Sequence, residues 1–142
     1  MAKAFLGNHS AIRVRRAERE RIRQFYRDVL GCQITRELDD KDDLRMGDDF
    51  HIALLYDTGD GREVDKGVTY AAEDPLSHDD FLKATFLELK TENVEEMRQK
   101  IAAFGVKVLD VPDPHLYFQA PGGQVWRLVG IGEDLSKYEG NR

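Results

Sequence analysis

The 142-residue sequence has one cysteine, no hydrophobic run long enough to cross a membrane and no excess of positive charge. A lone Cys32 cannot close an internal disulfide, which points to a reducing, cytoplasmic setting. The longest apolar runs, Ile52 to Leu55 and Val125 with Trp126, fall far short of the roughly 20 residues a membrane span needs. The opening Met1-Ala2-Lys3-Ala4-Phe5-Leu6 carries one positive charge but no sustained apolar stretch or small-residue cleavage site, so no secretory signal is expected. With a net charge of −6 the chain is poorly suited to a polyanion, because phosphate contacts demand clustered Lys and Arg. Neither nucleic acid nor a membrane is therefore an expected partner. The one basic cluster, Arg13, Arg15, Arg16, Arg19, Arg21 and Arg23, is interleaved with Glu18 and Glu20 and reads as a solvated strand end and helix face.

Hydrophobic residues at 41% and charged residues at 34% are globular proportions, and the length suits one domain over residues 1–142. Residues alternate loosely from His9 to Val14, a strand pattern. Ile22, Phe25, Tyr26, Val29 and Leu30 then recur on a helical period. Gly31 follows the last periodic residue, where a left-handed conformation ends helices cheaply. Short strands fit Gln33 to Leu38, Leu44 to Met46 and Phe50 to Tyr56, separated by turns over 39–43 and 47–49. The same order recurs downstream. Thr85 to Lys90 reads as a strand, and Val94, Met97, Ile101 and Phe104 mark one face of a helix capped by Asn93 with Glu96 and ended by Gly105. Three more strands fit Val106 to Asp110, His115 to Gln119 and Gln124 to Gly130, the last two joined by the Ala120-Pro121-Gly122-Gly123 turn. Ala53 follows Gly31 at the interval at which Arg127 follows Gly105, so the halves are in register. This divides the chain into module one (about 5–57), a long connection (58–82), module two (about 83–131) and a tail (132–142).

Phe25-Tyr26-Arg27-Asp28-Val29-Leu30-Gly31, after a His-containing strand, resembles the first-helix signature of the vicinal oxygen chelate superfamily. Tyr117-Phe118-Gln119-Ala120-Pro121-Gly122-Gly123-Gln124-Val125-Trp126-Arg127-Leu128 is similar to that family's closing hairpin. The resemblance implies an α+β fold of two βαβββ modules forming a cupped mixed sheet, the glyoxalase/bleomycin resistance/dioxygenase-like fold. It also implies a homodimer with a small-molecule ligand in the cup. Strand alternation assigns the faces: Ile52 and Leu54 toward the first helix, Trp126 and Leu128 toward the second, and His51, Ala53, Leu55, Val125, Arg127 and Val129 toward the cup.

Metal-using members of the family place one ligand on each of four strands. The corresponding positions here are His9, Ala53, Phe86 and Arg127. Only His9 is a donor, since Ala and Phe offer no lone pair and a guanidinium repels a divalent ion. No cofactor is therefore expected. The alternative is a divalent metal on a displaced set, His9, His51 and Glu88, two residues or roughly 7 Å along the strands.

His9 is the candidate proton-transfer residue. Arg127, in an apolar cup, demands an anion, either Glu88 or a ligand carboxylate or phosphate. Tyr117, His115, Glu88 and His51 complete the candidate ligand-contacting set. His78 reads as plain surface, Phe25, Tyr26, Phe104 and Trp126 as core, and Cys32 as an inert thiol. Two functions remain open: an enzyme of lyase, isomerase or dioxygenase type acting on a small organic anion, or a non-catalytic protein that sequesters a drug or toxin, for which a cationic ligand would suit an acidic protein.

Overall fold

The computed structural model describes residues 2–58, 77, 79–80 and 84–133. Most of the connection over 58–82, including His78, and all of the tail after 133 lie outside those residues. Two four-stranded mixed sheets are present. The first comprises β1 (His9–Val14), β2 (Gln33–Glu37), β3 (Lys41–Met46) and β4 (Phe50–Tyr56), in the order β1-β4-β3-β2. The second comprises β5 (Phe86–Thr91), β6 (Lys107–Leu109), β7 (Leu116–Gln119) and β8 (Val125–Gly130), in the order β5-β8-β7-β6. Within each, the first and last strands of the module pair in parallel and the remaining pairs are antiparallel. Ala11 is the register partner of Ala53, and Glu88 of Arg127, each in the third position of its module's first strand. Ala53 and Arg127 are thus equivalent places in the two halves.

Helix α1 (Arg19–Arg23) is entered through a 3-10 turn at Arg16–Glu18 and widens into a π-helical segment over Gln24–Val29. There the Leu30 amide reaches back to the Phe25 carbonyl at 3.1 Å, one residue further than an α-helical bond. A uniform α-helical period read through this stretch thus missed one irregularity. Helix α2 (Val94–Phe104) matches its sequence pattern: the Asn93 side chain accepts the Glu96 amide at 3.0 Å, and Gly105 closes the helix at φ 91°. No helix among the described residues is long and apolar enough to cross a membrane.

Alternation along the strands sends Ile12, Leu44, Ile52 and Leu54 of the first sheet and Phe118, Trp126 and Leu128 of the second into one core around Phe25, Tyr26 and Ile101. Phe25 packs edge-on against Phe104 and Phe118, and the Trp126 indole donates to the Tyr26 hydroxyl at 3.2 Å. Trp126 therefore meets the first helical segment of the chain as well as its own module. Because both sheets turn their helix-facing sides into this shared core, their opposite faces look away from it.

The basic cluster departs from the solvated face expected of it. Asp42 is fully buried, and it accepts from Arg19 (2.8 Å), from Arg23 through two bonds (2.8 Å each) and from the Tyr56 hydroxyl (2.6 Å). These partners outweigh burial, which alone would raise the carboxyl, and hold it down to about 2. Arg16 secures the start of the helical segment by donating to the Asp57 and Asp39 carbonyls at 2.7 and 2.8 Å. β3 accordingly begins at Lys41, inside the stretch read from sequence as a turn. Leu38 closes on Lys41 at 2.8 Å, and Asp42 already points inward.

Candidate functional site

The outward face of the first sheet carries His9, Ala11 and Arg13 on β1, His51, Ala53 and Leu55 on β4, Arg45, Asp43 and Lys41 on β3, and Gln33 and Arg36 on β2. His9 and His51 are register partners on parallel strands, so their side chains leave the same face from neighbouring positions, roughly 5 Å apart at the backbone. His9 is exposed and His51 half-buried. Neither ring has a hydrogen-bond or ionic partner among the described residues. Lys41 pairs with Asp43 at 3.3 Å, while Arg13, Arg36 and Arg45 leave the face cationic within an otherwise acidic chain.

The second sheet's outward face is different: its charges are already spent on one another. The Arg127 Nε donates to Glu88 Oε2 at 3.0 Å and its Nη2 makes a further short contact to the same oxygen. Nη1 donates to the Tyr117 hydroxyl at 3.3 Å and lies 3.5 Å from Asp113 Oδ2. The guanidinium also sits 5.0 Å from the Phe86 ring centroid. Burial works against its charge, but the Glu88 and Tyr117 hydrogen bonds more than compensate and raise its pKa. Of the two anions open to Arg127 from sequence, Glu88 is the one the fold supplies.

His115 belongs to the same network. Its Nδ1 lies 2.5 Å from Asp113 Oδ1 and its Nε2 2.6 Å from Glu133 Oε1, and its side chain is only 7% exposed. Asp113 also accepts the His115 amide and the Tyr117 hydroxyl, and these bonds overcome burial and hold it down to about 2. Burial, reinforced by Asp113, raises the Tyr117 phenol. Sequence reasoning found His115 and Tyr117 but missed Asp113 and Glu133. The signal for Asp113 was its position two residues before His115, obscured by the prolines at 112 and 114.

The candidate residues therefore fall into two groups. Arg127, Glu88, Tyr117 and His115 are joined on the second sheet, and His9 with His51 on the first. His9 and Glu88 meet only as walls of a cleft of about 860 Å³ that opens between the edge strands β1 and β5, with Leu6, Leu89, Met97 and Trp126 among its other walls. The displaced metal set does not converge: Glu88 is engaged by Arg127, and among the described residues no three His, Cys, Asp or Glu side chains form a metal-holding group. At the family's own ligand positions, Ala53, Phe86 and Arg127 do not fit a metal. Cys32 is buried, which pushes its thiol up to about 12, away from the thiolate form.

The family model for the glyoxalase/bleomycin resistance protein/dioxygenase superfamily matches residues 8–126. No curated protein matches the chain. Among solved structures, the chain is similar to an integron cassette protein from the mobile metagenome of V. cholerae (18% identity, 92% of this chain and 98% of that one, TM-score 0.60). It is also similar to the fosfomycin resistance protein FosX from Mesorhizobium loti (13%, 96% and 98%, TM-score 0.58) and to a glyoxalase/bleomycin resistance protein/dioxygenase from Nocardioides (15%, 96% and 90%, TM-score 0.58). At these identities the structural likeness speaks to the fold alone. With the family model spanning most of its length, and with two in-register βαβββ halves, the chain belongs to the glyoxalase/bleomycin resistance protein/dioxygenase superfamily.

Proposed function

We propose that this protein is an enzyme acting on a small organic anion bound on the outward face of the first sheet, with His9 moving a proton and His51 assisting. The observation that carries this reading is the pair of histidines at neighbouring positions, without partners among the described residues and set on a cationic face. A neutral imidazole can accept a proton and an imidazolium can return it near neutral pH. Two side by side allow one ring to act as base while the other donates. Ala11, which is exposed, stands beside the pair with only a methyl group, and Ala53 next to it is buried. Ala53, Phe86 and Arg127 offer no donors at the positions where the family holds a metal, so proton transfer is assigned to the histidines. Arg127 supports the second sheet in this reading, while Tyr117 and His115 are fixed by Asp113.

The competing function, sequestration of a drug or toxin without chemistry, fits less well in its cationic-ligand form. Arg13, Arg36 and Arg45 would repel a cation. Sequestration of an anion stays distinguishable by one assay: incubate the protein with a panel of small carboxylates and phosphoryl compounds, select ligands by thermal shift, and follow them by NMR. Chemical conversion abolished by His9→Gln is the expected result. Recovery of every bound ligand unchanged would establish the binding protein instead, and stabilisation that survives both His9→Gln and His51→Gln would place the site elsewhere.

We further propose a homodimer. Phe5 and Leu6 are 87% and 95% exposed, and the cleft between β1 and β5 presents apolar walls beside two strand edges, a combination that favours association with another copy. Sedimentation should give twice the mass of one chain at micromolar concentration; a monomer there would remove the dimer.

A further inference from the structure

We infer that Arg45, continued by Gln33, holds the anionic group of the ligand, an inference that rests on the proposed site on the first sheet and assigns it an arginine that sequence reading did not select. The register is the starting point. His9 partners His51 across β1 and β4, His51 partners Arg45 across β4 and β3, and Arg45 partners Gln33 across β3 and β2. These four side chains form one unbroken polar row across the whole sheet, spanning about 14 Å at a strand spacing near 4.8 Å. One step further along the strands the row becomes Ala11, Ala53, Asp43 and Arg36, with small residues on the two strands that carry the histidines.

Chemically the row is ordered. Two groups able to exchange a proton stand at the β1 end, a fixed cation stands beside them, and a neutral amide completes the line. The Arg45 Nη2 donates to the Asp48 carbonyl at 3.1 Å, which anchors the side chain at the β3–β4 turn. Its Nε and Nη1 have no partner among the described residues. The neighbouring acid Asp49 accepts from the Asn8 amide at 3.2 Å, and Asp43 is drawn to Lys41. A planar guanidinium with open donors binds a carboxylate or phosphoryl oxyanion through parallel bonds, and Gln33 can donate to the same group. The ligand body then lies along the row toward the exposed Ala11, which puts its reacting atoms within reach of His9 and His51. Arg127 cannot take this part, since its donors serve Glu88 and Tyr117 on the other sheet.

The inference is tested with inorganic phosphate and acetate as probes, following the ring resonances of His9 and His51 by NMR. In the unaltered protein either anion should move both sets of resonances saturably. Arg45→Gln should raise the dissociation constant about tenfold, the loss of one charge-assisted contact. Arg45→Lys should recover part of it, and Arg127→Gln should leave affinity within about twofold while lowering the melting temperature. If the anions move the resonances equally well in Arg45→Gln, the assignment of Arg45 is wrong while the site stands. If neither anion moves them in the unaltered protein, both the assignment and the proposed site fall.

Discussion

Arg127 offers the sharpest energetic prediction, because the residue is 8% exposed and its guanidinium holds three partners. Arg127→Ala deletes the cation and strands Glu88, while the Tyr117 hydroxyl loses one donor but keeps its bond to Asp113. Breaking a buried pair by removing one partner costs about 3–5 kcal/mol. The Glu88 side chain keeps 27% exposure, so water screens its orphaned carboxylate and the lower end, about 3 kcal/mol, applies. For a chain of this length that is roughly a 10 °C fall in melting temperature. Glu88→Gln alone should cost less, about 1 kcal/mol, because Tyr117 and Asp113 still engage the guanidinium. In Arg127→Ala/Glu88→Gln the stranded charge is gone and about 1–2 kcal/mol of the summed loss should return. Thermal and urea unfolding of the four proteins closes the cycle. A coupling energy under about 0.3 kcal/mol would refute the structural ion pair and return Arg127 to the residues open to a ligand.

Asp42→Asn should destabilise by at least ~2 kcal/mol, read by urea unfolding, since it leaves Arg19 and Arg23 facing each other around a neutral amide; an unchanged midpoint would mean the cluster contributes nothing. An aspartate in an unfolded chain titrates near 3.9, whereas Asp42 and Asp113 are held at about 2 in the fold. Their contribution is therefore complete above about pH 4 and is lost as pH falls from there toward 2, so stability measured across that window should drop and Asp42→Asn should flatten the drop. Gly122→Ala should lower the melting temperature by several degrees: φ is +93°, and an added Cβ would lie 2.9 Å from Val14 and 3.0 Å from Ile22. A neutral outcome there would show that the hairpin does not press on the first module as described.

Local chemistry made much of the fold legible. Apolar alternation around Ile52 and Leu54 and around Trp126 and Leu128 assigned faces correctly, because a strand's side-chain period is two whatever it pairs with. Asn93 and Gly105 bounded a helix through contacts within a few residues. Asp42 was misread for the opposite reason. Its neighbours Asp39, Asp40, Lys41 and Asp43 resemble a solvated turn, and its partners Arg19, Arg23 and Tyr56 are brought to it only by folding. The π-helical segment at Gln24–Val29 was hidden because one widened turn barely disturbs an amphipathic pattern. At the candidate site, His9 and His51 could be placed on one face from sequence, but their adjacency could not. Arg45 was overlooked because its place in the row depends on the register of β3 against β4, which no local pattern encodes. Arg127 drew attention as a buried charge, and the fold resolves that charge with Glu88.

The location of a bound ligand tests the central claim most directly. Crystals grown with whichever small carboxylate or phosphoryl compound raises the melting temperature most should show ligand density on the outward face of the first sheet, its oxyanion against Arg45 and its body beside His9 and His51. Density seated instead on the second sheet, displacing Glu88 from Arg127, would contradict the account.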